Sequence, residues 1–375
     1  MNITHIPVAR RAIAAAALAA LAGAAAAAPL YSVTRIAPHD TAHRAYIEAV
    51  ALNQVGGATG TDLTNHHPFR WSAASGIEWL EDLPGGDAYA RTWDINDAGV
   101  VVGFGRIKGS DYEGEIVSRA VAWLPGDPKA HDLEAGQNPK AHHQWEGYAY
   151  SINNAGQISG VSGRIQGVRP FILDPTTGTP QLLGQVLYPY YINESGATAG
   201  SGPYDPVTGG TINQYRTPDG HRVDLPRGVS ASALNNLGQI AGANNEFQAI
   251  VWSEAGGVVV LPSLDGMPRC EARGLNDAGV AIGTCYYWDD RPHAVLWTPD
   301  GAGSYTAQDV RDLVPPDPRR PLGCVARPAG GTQYCYGEVG AAIDNAGRLL
   351  VNEHTSRQRS VIDSEPLLLT PPASR

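Results

Sequence analysis

The apolar positions of this chain fall into short runs that recur in register, each broken by a polar turn of asparagine and glycine. The clearest run-and-turn phrase is DINDAGVVVG (94–103), and it returns as ALNQVGGATG (51–60), SINNAGQISG (151–160), YINESGATAG (191–200), ALNNLGQIAG (233–242), GLNDAGVAIG (274–283) and AIDNAGRLLV (342–351). The shared pattern is apolar-Asn-x-x-Gly-x-x-x-Gly. Its leading residue is Asn53, Asn96, Asn153, Asn193, Asn235 and Asn276, with Asp344 in the last copy. The intervals of 43, 57, 40, 42, 41 and 68 residues describe a period near 40 with longer insertions, the mark of a repeat array.

A second phrase follows each turn: HPFRW (67–71), RAVAW (119–123), RPFIL (169–173), TINQY (211–215), QAIVW (248–252) and HAVLW (293–297). It is apolar, rich in β-branched and aromatic residues, and usually closed by Trp. A turn such as TPDG and a last short run such as GVVVLPSL (257–264) complete the unit. Each unit therefore predicts four short strands joined by turns. Four antiparallel strands repeated about every 40 residues predict an all-β fold, a seven-bladed β-propeller of four-stranded antiparallel blades. One blade cannot bury both faces, so its neighbours must cover them.

The last unit is one strand short, because EPLLLTP (365–371) reads as its third strand. At the other end YSVTRI (31–36) is a strand without a unit. The expectation is that 31–36 completes the last blade, closing the ring and covering an edge that could aggregate.

The Asn-x-x-Gly phrase raises a calcium loop as an alternative to a turn. Calcium needs several carboxylate or carbonyl oxygens at set spacing. The equivalents of Asp94 are Ala51, Ser151, Tyr191, Ala233, Gly274 and Ala342, so the acid does not recur. The phrase reads as a turn between strands one and two, with Asn in an Asx turn and Gly taking positive φ. The polar lead residues of the second phrase, His67, Arg119, Arg169, Gln248 and His293, could line a pore; a structural role within their own blades is the stronger expectation.

The two phrases together, INxxGxxxG followed by H/R-A-apolar-apolar-W, resemble the HAF repeat family of probable extracellular repeat proteins, as does the terminal LLLTP. The resemblance covers nearly all of 31–371 and implies an exported or cell-surface protein. It implies no transferable catalytic residues. TINQY departs most from the pattern.

Composition agrees with a strand-rich globular chain: 44 Gly and 28 Pro, 43% hydrophobic and 17% charged residues. Arg10, Arg11 and the run AIAAAALAALA (12–22), followed by small residues, read as a secretory signal peptide over 1–27, with cleavage before Ala28. Residues 28–375 then form one propeller domain, periplasmic or extracellular, with no membrane span after cleavage. Loss of the two arginines takes the formal net charge from −10 to −12, which argues against nucleic acid. Export makes the even set of cysteines a disulfide framework. Cys270 and Cys285 are symmetric about one turn, Cys324 and Cys335 about another, so local pairs 270–285 and 324–335 are expected.

Strand polarity places the short one–two and three–four turns on one face and the long insertions on the other. Loops on a rigid scaffold are where binding usually lies. That face carries Tyr112, His142, His143, Trp145, Tyr286, Tyr287, Trp288, Asp289 and Asp290, with Asp111 and Glu113. Such aromatics beside carboxylates suit stacking on a sugar or a protein-binding surface, or they pack under the loops. The sequence has no G-x-S-x-G elbow, phosphate loop, HExxH or Rossmann glycine set, and no zinc spacing. It predicts an exported binding or interaction module without cofactor, for an extracellular glycan or a protein partner. The alternative is a propeller hydrolase or lyase acting on extracellular polysaccharide.

Overall fold

The turn phrase folds the same way seven times. In blade 1 the Asn53 side chain accepts hydrogen bonds from the backbone N–H of Val55 and Gly57 at 3.2 and 2.6 Å, an Asx turn. The glycine three residues on has φ between 73° and 85° in all seven copies, from Gly56 to Gly347, a region that a side chain would disfavour. Each turn therefore reverses the chain into an antiparallel hairpin.

The computed structural model describes residues 30–373 except 38–45, 87–88, 109–115, 135–144, 165–166, 175, 185–187, 208, 287–291, 317–323, 327–332 and 358–359. The described strands form seven antiparallel sheets. Six are four-stranded blades in chain order. Their inner strands are Ile47–Leu52, Arg91–Ile95, Trp145–Ile152, Tyr188–Ile192, Ala233–Leu234 and Arg269–Leu275. TINQY, the most divergent second phrase, lies in a strand, Gly210–Arg216, whose pairing with the preceding strand shifts register between Asn213 and Thr211. Inner strands of successive blades touch one another around a central channel. The fold is a seven-bladed β-propeller.

The seventh sheet runs Gln333–Ile343, Leu349–Arg357, Ser360–Thr370 and then Ser32–Arg35, so the first strand of the chain is the outer strand of the last blade. Its register pairs Ser32 with Thr370 and Arg35 with Leu367. Arg35 adds an ion pair to Glu365 at 2.7 Å. The sequence did not predict a fifth strand here: Cys324–Ala326, from the long insertion, pairs with the inner strand Gln333–Ile343.

Between blades lie separate apolar clusters, such as Ala58, Phe69, Trp71, Leu350 and Leu368 between blades 1 and 7. The conserved spacing of the second phrase puts a closing Trp in several of them. Trp123 and Trp297 are fully buried, and each indole N–H donates to a carbonyl of the preceding blade, Glu81 at 2.8 Å and Pro262 at 2.7 Å. None of His67, Arg119, Arg169, Gln248 and His293 lines the channel cavity. Arg119, 1% exposed, is held by Asp132 at 3.1 Å and by the Glu134 carbonyl at 2.6 Å, and His293 meets Asp309 at 2.7 Å.

The turn face also joins the blades. The Asn53 amide donates to the carbonyl of Asn96, and the relay continues through Asn153, Asn193, Asn235 and Asn276 to the carbonyl of Asp344, at 2.9 to 3.2 Å. Asp344 has no amide to donate. Arg348 replaces it, bonding the Asp344 carboxylate and reaching the Gln54 carbonyl of blade 1 at 2.6 Å. A second belt uses the next residue. The N–H groups of Gln54, Asp97, Asn154, Glu194, Asn236, Asp277 and Asn345 each donate to the side-chain oxygen of the next, and Asn345 returns to Gln54 at 2.8 Å. Acids and amides alternate in that belt, so no two carboxylates are neighbours until the ring closes on two amides.

Cys270 and Cys285 face each other in the blade 6 hairpin and form a disulfide. The register likewise sets Cys324 opposite Cys335; their side chains lie outside the described residues. Residues 1–29, which include the expected leader over 1–27, also lie outside them. No helix among the described residues is long and apolar enough to cross a membrane.

Candidate functional site: the central channel

In six blades the pairing between strands one and two skips one residue on the inner strand. The skipped residues are Val50, Trp93, Tyr150, Tyr190, Arg273 and Ala341, each three positions before the turn Asn or Asp. Ser232 holds that position in blade 5. A bulged residue is left out of the ladder and its side chain is re-aimed. All seven line one cavity of about 1040 Å³ along the channel.

The second glycine of the repeat makes room for this bulge. A Cβ on Gly60, Gly103, Gly160, Gly200, Gly242 or Gly283 would sit only 1.8 to 2.3 Å from a carbonyl oxygen on the inner strand or, in blade 5, just before it, that of Glu48, Arg91, Tyr148, Tyr188, Ser230 or Glu271. Blade 7 lacks the glycine at Val351 and carries it on the facing strand instead, at Gly340.

The channel wall has two unlike arcs, one built from bulge residues and one in which Arg273 is the only charged bulge residue and the other charges come from paired positions. Blades 2 to 4 give an aromatic arc. Trp93 stacks on Tyr150 with ring centres 5.0 Å apart, and Tyr150 meets Tyr190 edge-on at 4.9 Å. Phe104 and Tyr148 back Trp93 at 5.1 and 5.5 Å. Such pairs contribute about 0.5–1.5 kcal/mol each beyond their buried area. Burial, with the neighbouring tyrosines, pushes the Tyr150 phenol well above its ordinary range, so it stays a neutral hydroxyl.

Blades 6, 7 and 1 give a charged arc. Arg273 pairs with Glu271 at 3.2 Å, and His354 lies 3.5 Å from Glu48. Burial alone would raise the Glu48 carboxyl. The hydrogen bonds of His354 and Tyr46 and the charges of His354 and Arg273 outweigh it, so Glu48 sits below the ordinary carboxylate value. For Arg273, burial is likewise outweighed by Glu271 and Tyr286, and the guanidinium is held more firmly charged. Nearer the turn face, burial pushes Asp94 up to about 6, against hydrogen bonds from Ser151 at 2.6 Å and from the backbone of Ile152 and Ile95. No group of three or more His, Cys, Asp or Glu side chains among the described residues is arranged to hold a metal ion.

Of the residues singled out on the loop-rich face, Tyr286 lines this cavity. Trp145 begins the inner strand of blade 3, with its side chain outside the described residues. Tyr112, His142, His143, Tyr287, Trp288, Asp289 and Asp290 lie outside them as well. The channel residues Trp93, Tyr150, Tyr190, Glu48, Glu271, Arg273 and His354 were not singled out. Aligning the copies on the turn residue and reading three positions back gives Val, Trp, Tyr, Tyr, Ser, Arg, Ala, a column too varied for core packing.

No protein-family model matches the chain, and no curated protein matches it. Solved structures do. A streptogramin B lyase superposes with a TM-score of 0.51 at 11% identity, over 91% of this chain and 98% of that one. Virginiamycin B lyase from Staphylococcus aureus gives 0.50 at 11%, over 91% and 98%. An oligogalacturonate lyase in complex with manganese gives 0.50 at 12%, over 92% and 97%. They share the fold. At such identity the likeness reaches no further than the architecture.

Proposed function

We propose that this protein is an exported binding module that takes a glycan into the central channel. The observation that carries the reading is the channel cavity, in which a bulged aromatic arc lies opposite hydrogen-bonding charged groups. A sugar ring has an apolar C–H face suited to Trp93, Tyr150 and Tyr190, and hydroxyls suited to Glu48, Glu271, Arg273 and Tyr286. The volume is at the upper end of small-molecule pockets. Export is supported by the leader-like N-terminus, the resemblance to HAF repeats and the Cys270–Cys285 disulfide, a bond suited to an oxidising compartment.

A second reading, a hydrolase or lyase on the same polysaccharide, is favoured by the Glu48–His354 pair, which puts a titratable imidazole beside an orienting carboxylate at the channel wall. Binding is preferred because the four charged groups of that arc are paired with one another rather than aimed at a common point. Incubating the mature protein with a polysaccharide panel, and scoring both retention and release of reducing or unsaturated ends, separates the readings. Retention without turnover is expected. Turnover lost in His354→Ala would establish the enzyme, and absence of both retention and turnover would refute the glycan.

A further inference from the structure

Resting on that channel reading, we propose that the ligand is cationic: a saccharide bearing protonated amines, rather than a neutral or acidic one. Among the described residues the wall holds six carboxylates, Glu48, Asp94, Asp97, Glu194, Glu271 and Asp277, against one guanidinium, Arg273, and one imidazole, His354. Both basic groups are already engaged, Arg273 by Glu271 and His354 by Glu48. Arg91, on the inner strand of blade 2, is turned away over the Tyr89 ring at 5.5 Å and is not in the wall.

Among the described residues, no cation pairs with the other four acids. Asp94 takes Ser151 and two backbone N–H groups. Asp97 takes the N–H of Gln54 and the amide of Asn154. Glu194 takes the N–H of Asn154, and Asp277 takes the N–H and amide of Asn236 and the amide of Asn345. Those bonds orient the carboxylates without neutralising them. Their mutual crowding is visible in Glu194, which burial and then the charges of Asp97 and Asp277 push above its ordinary value.

A cleft with low-dielectric walls and one sign of charge concentrates the opposite sign. The aromatic arc acts in the same direction, because a cation is attracted to the faces of Trp and Tyr rings. A uronate, sulfate or phosphate would meet the same field as repulsion. A neutral sugar would gain the stacking and nothing from the charge. The aromatic wall and the uncompensated carboxylates share one cavity, so the favoured ligand is a ring-bodied amine.

Three size-matched probes test this by calorimetry: an oligomer of glucosamine at a pH where its amines are protonated, its N-acetylated counterpart, and an oligomer of galacturonate. The glucosamine oligomer should bind at least about 10-fold more tightly than the other two, with the gap narrowing as salt screens the channel. The double variant Glu194→Gln/Asp277→Asn keeps an acceptor oxygen at both positions and should cut that preference several-fold, with its thermal melt confirming the fold. Equal or tighter binding of the neutral or acidic oligomer would overturn the cationic ligand while leaving a glycan in the channel. A preference unchanged in the double variant would place charge recognition elsewhere and overturn the proposal too. No binding by any probe would overturn both this and the glycan reading.

Discussion

Asp94 carries its own pH signature. In the folded chain burial raises its carboxyl to about 6, above the ordinary aspartate value. The native state therefore holds this proton over a range where the unfolded chain has released it, and stability falls as pH rises from about 4 through about 6. Asp94→Asn should flatten that part of the profile. Denaturant midpoints of both proteins between pH 4 and 7 check it, and parallel profiles would contradict the assignment. Gly103 makes a steric prediction. A Cβ there would lie 1.9 Å from the Arg91 carbonyl oxygen, a backbone atom that cannot swing aside. Gly103→Ala should lower stability by about 1–3 kcal/mol, as overpacking does, read from a urea titration. Gly126, where nothing lies within 4 Å of the added carbon, shows that crowding is specific to the bulge, although its positive φ of 74° adds strain of another kind.

At the scale of strands and turns, the recurring phrase was legible because its physics is local. An Asx turn followed by a positive-φ glycine leaves a fixed residue pattern, and seven copies of it announce seven hairpins. The disulfide was legible for the same reason, because residues symmetric about a turn face each other. What the pattern hid was the bulge. Alternation along a strand assumes a period of two, and one skipped residue changes its phase. Trp93, Tyr150 and Tyr190 therefore stand where simple alternation gives no clear face, while the long loops drew the functional expectation to the rim. The relay between blades was hidden as well, because it joins residues some 40 apart. The exchange of Asn for Asp344 makes sense only once Arg348 is seen bridging to blade 1. Arg348→Met should open the relay at that joint and cost about 1–3 kcal/mol, the range for a buried partner left unsatisfied. Removing the Cys270–Cys285 bridge, which spans 15 residues, should cost about 2–4 kcal/mol. Peptide mapping of the unreduced protein should recover a Cys324–Cys335 pair besides it.

For the whole molecule, the ring depends on a strand that arrives first in the chain and completes the last blade. Ser32–Arg35 covers the edge of Ser360–Thr370, and Ile36 and Ala37 behind it are buried at 2% and 4% exposure. Deleting 30–37 would uncover that edge and part of the apolar cluster with Leu350 and Leu368. Such a chain should elute as aggregate in size-exclusion chromatography, whereas the intact mature chain should remain discrete. The closed ring also fixes where recognition sits. Seven inner strands converge on one axis, and the residue three positions before each turn lines the cavity there, beside charged neighbours such as Glu48 and Glu271. Calorimetry on Trp93→Ala/Tyr150→Ala beside the native protein, with whichever oligosaccharide binds the native protein most tightly, tests this most directly. The account predicts a loss of affinity of at least about 10-fold with the fold retained, as expected for two aromatic anchors. Affinity within about twofold of native, in the same calibration where tenfold is 1.4 kcal/mol, would contradict it.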